Sequence, residues 1–83
     1  MYEIRFSNEA SKFYKKANSA IARQINMVIE HIKNNPFWGI HIKKMKGELH
    51  GSYRYRMGKI RVIYSIENNI IWIEAIGYRG GIY

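Results

Sequence analysis

The second half of the sequence alternates polar and apolar residues in three runs that short connections separate. The runs cover residues 52–57, 60–66 and 70–77. Gly58-Lys59 and Asn68-Asn69 join them, and glycine and asparagine tolerate the positive φ angles that tight hairpin turns require. The pattern therefore predicts a meander of three antiparallel strands, and this prediction restricts the possible folds more than any other feature of the chain.

The first half predicts one strand and two helices. Residues 2–6 alternate like the later runs and predict a short strand. Apolar side chains then recur at helical spacing in two segments, which side chains at 7–8 and at 18–19 can cap. The Asn-Asn-Pro sequence at 34–36 ends the second segment, and 41–45 can add a strand at the sheet edge. We expect an α+β domain: a strand, a helical hairpin, then the meander, with the helices packed on one sheet face.

The chain of 83 residues is strongly basic, with 14 Lys and Arg against 6 Asp and Glu and a formal net charge of +8. Such an excess on one small domain favours an anionic partner, either a nucleic acid or an acidic protein. The sequence contains no cysteine, which removes disulfides and cysteine-based metal sites. Residues 1–6 lack the apolar run of a signal peptide or membrane span, so we expect a cytoplasmic protein with no membrane partner.

The predicted register of the first hairpin places three arginines on the sheet face away from the helices. A two-residue turn sets Arg56 opposite Arg61 and Arg54 opposite Ile63. Like charges directly opposite each other destabilise a sheet, so the arrangement favours a surface that an anion neutralises. Arginine suits phosphate because its planar guanidinium donates two parallel hydrogen bonds. In each strand alone, the arginines could simply be the solvated polar half of an alternating pattern. The cluster of three arginines, which Arg79 joins from the tail, favours a functional site.

Three segments of the second half resemble, in order, the motifs of RelE/ParE toxins. Residues 46–56 read KGELHGSYRYR and resemble the segment that opens the sheet in these toxins. Residues 58–64, GKIRVIY, resemble the next strand, and 76–83, IGYRGGIY, resemble the closing element. With the strand and helical hairpin before them, they cover essentially the whole chain. The resemblance implies a single toxin domain over residues 1–83 with the α+β fold described above, of the RelE branch.

This resemblance implies a type II toxin that cuts messenger RNA, usually in the decoding site of the ribosome, and thereby inhibits translation. The 2′-hydroxyl of the RNA would attack the adjacent phosphate, while the protein positions the strand and stabilises the growing negative charge. By position, Arg61 and Arg79 match residues that stabilise the phosphate. Arg54 and Arg56 match two lysines of the best-known member, and Tyr83 matches a tyrosine that stacks on or orients the substrate base.

The general base is left open by the sequence. Arginine is a much poorer base than a lysine of lowered pKa. His50 and Glu74 are candidates. His50 could instead be an exposed loop histidine without a function, and Glu74 could instead be the charge partner of Arg54. Five basic side chains are expected to contact the RNA: Lys43, Lys44, Lys46, His50 and Lys59. His31 and His41 have no partner at metal-ligand spacing, so we expect neither a metal nor another cofactor.

A toxin of this kind implies a cognate antitoxin. We expect an acidic partner whose extended or helical segment lies across the apolar groove beside the helices and covers or distorts the arginine face. Operator DNA would be bound only through the complex with the antitoxin. Two other functions stay open: a ParE-like inhibitor of DNA gyrase without RNA-cutting chemistry, and a non-catalytic basic domain that binds RNA with steep salt dependence. The clustered arginines and the terminal tyrosine favour the ribonuclease.

Overall fold

The computed structural model describes residues 2–47 and 51–80. In these ranges the chain forms strand β1 (Glu3–Phe6), helices α1 (Asn8–Lys16) and α2 (Ser19–Asn34), and strands β2 (Ile42–Lys44), β3 (Ser52–Met57), β4 (Ile60–Glu67) and β5 (Ile70–Tyr78). The α+β prediction is confirmed, and each observed strand end lies within one residue of its predicted position. None of the described helices is both long and apolar enough to span a membrane.

Side-chain caps begin both helices. The Ser7 hydroxyl accepts a hydrogen bond from the amide of Ala10 at 3.0 Å, and the Asn18 side chain accepts one from the amide of Ile21 at 2.9 Å. Each cap satisfies an amide that has no partner within its helix. The Ser7 hydroxyl also donates to the carbonyl of Glu74 at 2.7 Å, which joins the start of α1 to β5.

The five strands form one mixed sheet in the order β1-β5-β4-β3-β2. The strands β3, β4 and β5 pair in antiparallel fashion as their short turns predict, and β2 joins β3 at one edge. At the other edge β1 pairs in parallel with β5. Parallel strands need a long connection, and the chain between β1 and β5 supplies one that includes both helices.

The core lies between the two helices and one face of the sheet. Its buried members are Ala10, Ile25, Val28 and Ile32 from the helices and Tyr55, Ile60, Val62, Tyr64, Ile71, Ile73 and Ile76 from the strands. The register shifts between Ile63 and Tyr64, which pair with Ala75 and Ile73 and leave Glu74 as an extra residue in β5. This bulge lets Ile73 and Ile76 both join the core although strict alternation would place them on opposite faces.

Tyr64 joins the centre of the sheet to the segment that follows α2. Its side chain is fully buried, and its hydroxyl donates to the carbonyl of Pro36 at 2.7 Å. Burial, with smaller contributions from Tyr53 and Tyr55, raises the pKa of Tyr64 far above its ordinary value, so the hydroxyl remains a donor. The bond therefore fixes the point at which the chain leaves α2 toward the sheet edge.

The change Tyr64→Phe tests this bond. It removes the hydroxyl and leaves the buried Pro36 carbonyl without its donor, so we expect the free energy of unfolding to fall by about 1–3 kcal/mol. Tyr14→Phe is the matched control, because its hydroxyl donates to Asn26 at the surface and water can replace that bond. Urea denaturation followed by circular dichroism measures both. Equal losses in the two variants would contradict the role of the Tyr64 bond.

Candidate active site

The arginines predicted for one sheet face lie there. Arg56 pairs with Arg61 and Arg54 with Ile63, as the two-residue turn predicts. They alternate with core residues such as Tyr55 and therefore project from the face opposite the helices. The strand register alone thus places three guanidinium groups on one surface.

Two open clefts with shared walls lie beside these arginines. The first cleft has a volume of about 500 Å³ and is lined by His41, Arg56, Met57, Gly58, Arg61 and Arg79. The second cleft has a volume of about 350 Å³ and is lined by Ile40, His41, Ile42, Lys43, Arg54 and Arg56. Arg56 and His41 line both. The four predicted arginines therefore come together around two adjacent clefts, although they are distributed over β3, β4 and the segment after β5.

Arg61 is held in a fixed orientation at the base of the first cleft. Its side chain donates to the carbonyl of Gly58 at 2.7 Å and to its neighbour Ile60 at 3.0 Å. Gly58 has a φ of 55°, which glycine adopts without strain, and this turn conformation directs its carbonyl toward the guanidinium. The other N–H groups of Arg61 bond to no described residue, so they are available to an anion in the cleft.

The site concentrates positive charge. The pKa of Arg61 lies below its ordinary value, first because the residue is buried and then because Arg56, Arg54 and Arg79 repel its charge. Arginine nevertheless remains protonated at neutral pH. None of the described residues that line the two clefts carries a carboxylate. An entering anion would be attracted by all four groups and would relieve their mutual repulsion.

Arg79 is positioned by the same turn that positions Arg61. Its backbone amide donates to the carbonyl of Lys59 at 2.8 Å, which brings the segment after β5 beside the β3–β4 turn. The Lys59 side chain itself is exposed and lines neither cleft. Tyr83 and His50 lie outside the described residues, so their predicted roles stay predictions.

The lysines predicted to bind RNA are divided between two surfaces. Lys43 pairs with Arg54 and lines the second cleft, as its predicted role requires. Lys44 pairs with Tyr53, which packs against the core, so its side chain projects from the helix side of the sheet. Lys46 is exposed and lines neither cleft. The structure thus brings Lys43 to the arginines and leaves Lys44 and Lys46 apart from them.

Of the two predicted base candidates, Glu74 lies away from the clefts. Its carboxylate accepts a hydrogen bond from the Ser52 hydroxyl at 3.0 Å, and it lines neither cleft. His41, for which the sequence predicted no metal-binding role and suggested no other, lines both clefts. The sequence feature that could have identified His41 was its place as the first residue of the weak edge-strand pattern at 41–45. Within residues 2–47 and 51–80, no three His, Cys, Asp or Glu side chains are grouped as metal ligands would be.

Comparison with known structures finds close likeness over nearly the whole chain. The YoeB-YefM complex from Staphylococcus aureus contains a chain of 30% identity, with a TM-score of 0.80, over 94% of this chain and 97% of that chain. The RelB-RelE antitoxin-toxin complex from Methanococcus jannaschii gives 28% identity and a TM-score of 0.72, over 94% and 93%. YafQ from E. coli, at 16% identity and a TM-score of 0.78 over 100% and 99%, shows the shared fold alone.

Comparison with protein families gives the same result, whereas comparison with curated proteins found no match. Residues 6–79 match the model of the YoeB-like toxins of bacterial type II toxin-antitoxin systems. The match includes both helices, strands β2 to β5 and the four arginines of the clefts. The protein therefore belongs to the YoeB-like family of type II toxins, within the RelE-like superfamily.

Proposed function

We propose that this toxin is an endoribonuclease that cuts messenger RNA, in the decoding site of the ribosome, and so inhibits translation. The observation that carries the proposal is the convergence of four guanidinium groups on two adjacent clefts that share Arg56 and His41. RNA presents a phosphate at every nucleotide, and guanidinium groups bind phosphate with two parallel hydrogen bonds. A single strand of RNA is therefore the anion that fits this surface best.

The chemistry requires charge stabilisation more than any other contribution. When the 2′-hydroxyl attacks the adjacent phosphorus, negative charge grows on the phosphate oxygens. Arg61, which its two backbone carbonyls already orient, needs no reorganisation to meet that charge. Arg56 and Arg79 line the same cleft and can contact other oxygens of the phosphate. The first cleft is thus suited to the scissile phosphate.

The second cleft extends the site along the RNA. It shares Arg56 with the first cleft and adds Arg54 and Lys43 from neighbouring strands. A strand whose scissile phosphate occupies the first cleft can place an adjacent phosphate in the second. Binding of two phosphates would hold the reacting nucleotide in one position. Holding the reacting groups in the correct geometry is a main way in which a protein uses binding energy to accelerate a reaction.

The antitoxin is the second proposed partner. In the related complexes named above, YoeB is bound to YefM and RelE to RelB. On this chain, a groove of about 270 Å³ runs between the helices and is lined by Phe6, Ser11, Tyr14, Lys15, Asn26 and Ile29. The net charge of +8 favours an acidic partner segment in this groove. Operator DNA would then be bound through the antitoxin in the complex.

Removing either of two arginines should abolish activity. We expect Arg61→Ala and Arg79→Ala each to slow cleavage of ribosome-bound messenger RNA by about 10²–10³-fold, because each removes a preorganised donor to the developing charge. Arg23→Ala, at an exposed position of α2, is the matched control and should keep full activity. Primer extension on messages from expressing cells maps the cuts, and circular dichroism verifies folding. Full toxicity in both arginine variants, or intact RNA with damaged DNA, would contradict the proposal.

Relief of charge repulsion should stabilise the fold at the expense of activity. Arg56→Gln removes the charge opposite Arg61, so we expect the free energy of unfolding to rise by about 0.2–1 kcal/mol at low salt while RNA cleavage falls. The gain should shrink as salt screens the remaining charges. Lys44→Gln also removes one charge, but from the helix side of the sheet, and should give a smaller gain. A loss of stability in Arg56→Gln would count against an anion site held under repulsion.

The groove between the helices can be tested by reversing one charge. Lys15 lines the groove, whereas Lys12 is exposed on the same helix and does not line it. We expect Lys15→Glu to bind the acidic protein encoded beside the toxin several-fold more weakly, mainly through slower association, and Lys12→Glu to bind it normally. Surface plasmon resonance at two salt concentrations measures the rates. Equal affinities of the two variants would show that the antitoxin binds elsewhere.

A further inference from the structure

The arginine clefts can stabilise charge, but the proposed cleavage also needs a proton acceptor. The attacking 2′-hydroxyl must lose its proton as the new bond to phosphorus forms. A guanidinium keeps its protons at any accessible pH, so no arginine of the clefts can take that proton. The acceptor must be an imidazole, a carboxylate or a neutral amine that reaches the same space.

His41 is the one imidazole among the described residues that line the arginine clefts, and those residues include no carboxylate. It lies on the wall that the two clefts share, beside Arg56. A nucleotide whose phosphates occupy the two clefts must therefore pass this side chain. The ring nitrogens of His41 make no hydrogen bond to a described residue, so both are open to the substrate.

The ring is exposed, yet its position is fixed from two sides. The amide of Arg56 donates to the carbonyl of His41 at 2.9 Å, which extends the pairing of β2 and β3 by one residue. The imidazole also packs on the ring of Tyr55, with 5.7 Å between ring centroids and an interplanar angle of 40°. Tyr55 is buried and shares a hydrogen bond with His31 from α2. The backbone and a core side chain thus hold His41 at the edge of the arginine face.

We propose that His41 is the general base of the cleavage reaction, a role that rests on the proposed ribonuclease function. A ring nitrogen takes the proton of the 2′-hydroxyl while the 2′-oxygen forms a bond to phosphorus. The bond from phosphorus to the 5′-oxygen breaks, and that oxygen takes a proton from water. The products are a 2′,3′-cyclic phosphate and a 5′-hydroxyl, and the imidazolium returns its proton to solvent. Imidazole is suited to this exchange because it gains and loses a proton near neutral pH.

The surroundings of His41 contain charged and titratable groups from several elements. They are Lys43 of β2, Arg54, Tyr55 and Arg56 of β3, Arg61 of β4, Arg79 after β5 and His31 of α2. Burial raises the pKa of Tyr55, which removes it as a competing acceptor near neutral pH. His31 lines neither arginine cleft and bonds to Tyr55 instead. Lys43 lines the second cleft only, so His41 is the one group among these that can act as a base and also lines the first cleft, where the scissile phosphate is proposed to bind.

The test uses purified ribosomes programmed with a defined message, and it compares single-turnover cleavage rates from pH 6 to 8. His41→Phe keeps a ring against Tyr55 but cannot accept a proton. We expect it to cut about 10²–10⁴-fold more slowly, and to lose the rise in rate with pH that a general base should give the unaltered protein. Binding of an RNA without the reacting 2′-hydroxyl should be unchanged. Added imidazole should restore part of the cleavage rate in His41→Ala. This second variant tests the role of His41 if His41→Phe fails to fold.

His31→Phe is the matched control, because the same substitution is made at the other histidine that contacts Tyr55, away from the arginines. It should keep the pH profile of the unaltered protein. Unchanged rate and profile in His41→Phe, or weaker RNA binding with the same profile, would overturn the role of His41. Loss of the profile in His50→Ala instead would assign the base to that residue. An unaltered protein that binds ribosomes but leaves RNA intact would overturn the proposed function itself, and this role with it.

Discussion

The pairing of two like charges, Arg56 opposite Arg61 across the first hairpin, is the constraint on which the functional surface depends. The glycine turn at Gly58 sets this pairing and also supplies the carbonyl that orients Arg61. A sheet accepts such a pair only if other interactions offset the repulsion. Here the opposite face supplies them, because the core residues between the sheet and both helices lie directly behind the arginine strands. The core that stabilises the fold and the arginine site that we propose for RNA thus lie on opposite faces of one sheet.

This separation explains how so small a domain can hold a cluster of like charges on one sheet face. The helices cover one sheet face and leave the other open, so cations can gather there without displacing the core. The bulge at Glu74 keeps both Ile73 and Ile76 in the core and therefore preserves packing where β5 passes behind the arginines. If the protein cuts RNA as proposed, the charge on this open face would attract accessible RNA, and this is why its activity would require control by an antitoxin.

The meander and the arginine register could be predicted from the sequence because a two-residue turn determines which residues of the two strands lie opposite each other. The sequence did not predict the position of β1, since alternation identifies a strand without naming its neighbour. His41 was not predicted as a site residue for a related reason: β2 is an edge strand of only three residues, so its alternation pattern in the sequence is weak. Lys43 and Lys44 appeared equivalent as neighbouring cations, yet alternation sends them to opposite faces. Predictions failed where long-range pairing, rather than local pattern, decides the geometry.

The central claim is that guanidinium groups from separate strands meet around one RNA phosphate. A crystal structure of the protein with a short RNA that lacks the reacting 2′-hydroxyl tests it most directly. We expect the phosphate at the blocked linkage in the first cleft, bonded to Arg61 and to Arg56 or Arg79, with the neighbouring phosphate beside Lys43 or Arg54. RNA bound on the helix side of the sheet, or phosphates that contact only single isolated cations, would contradict the account.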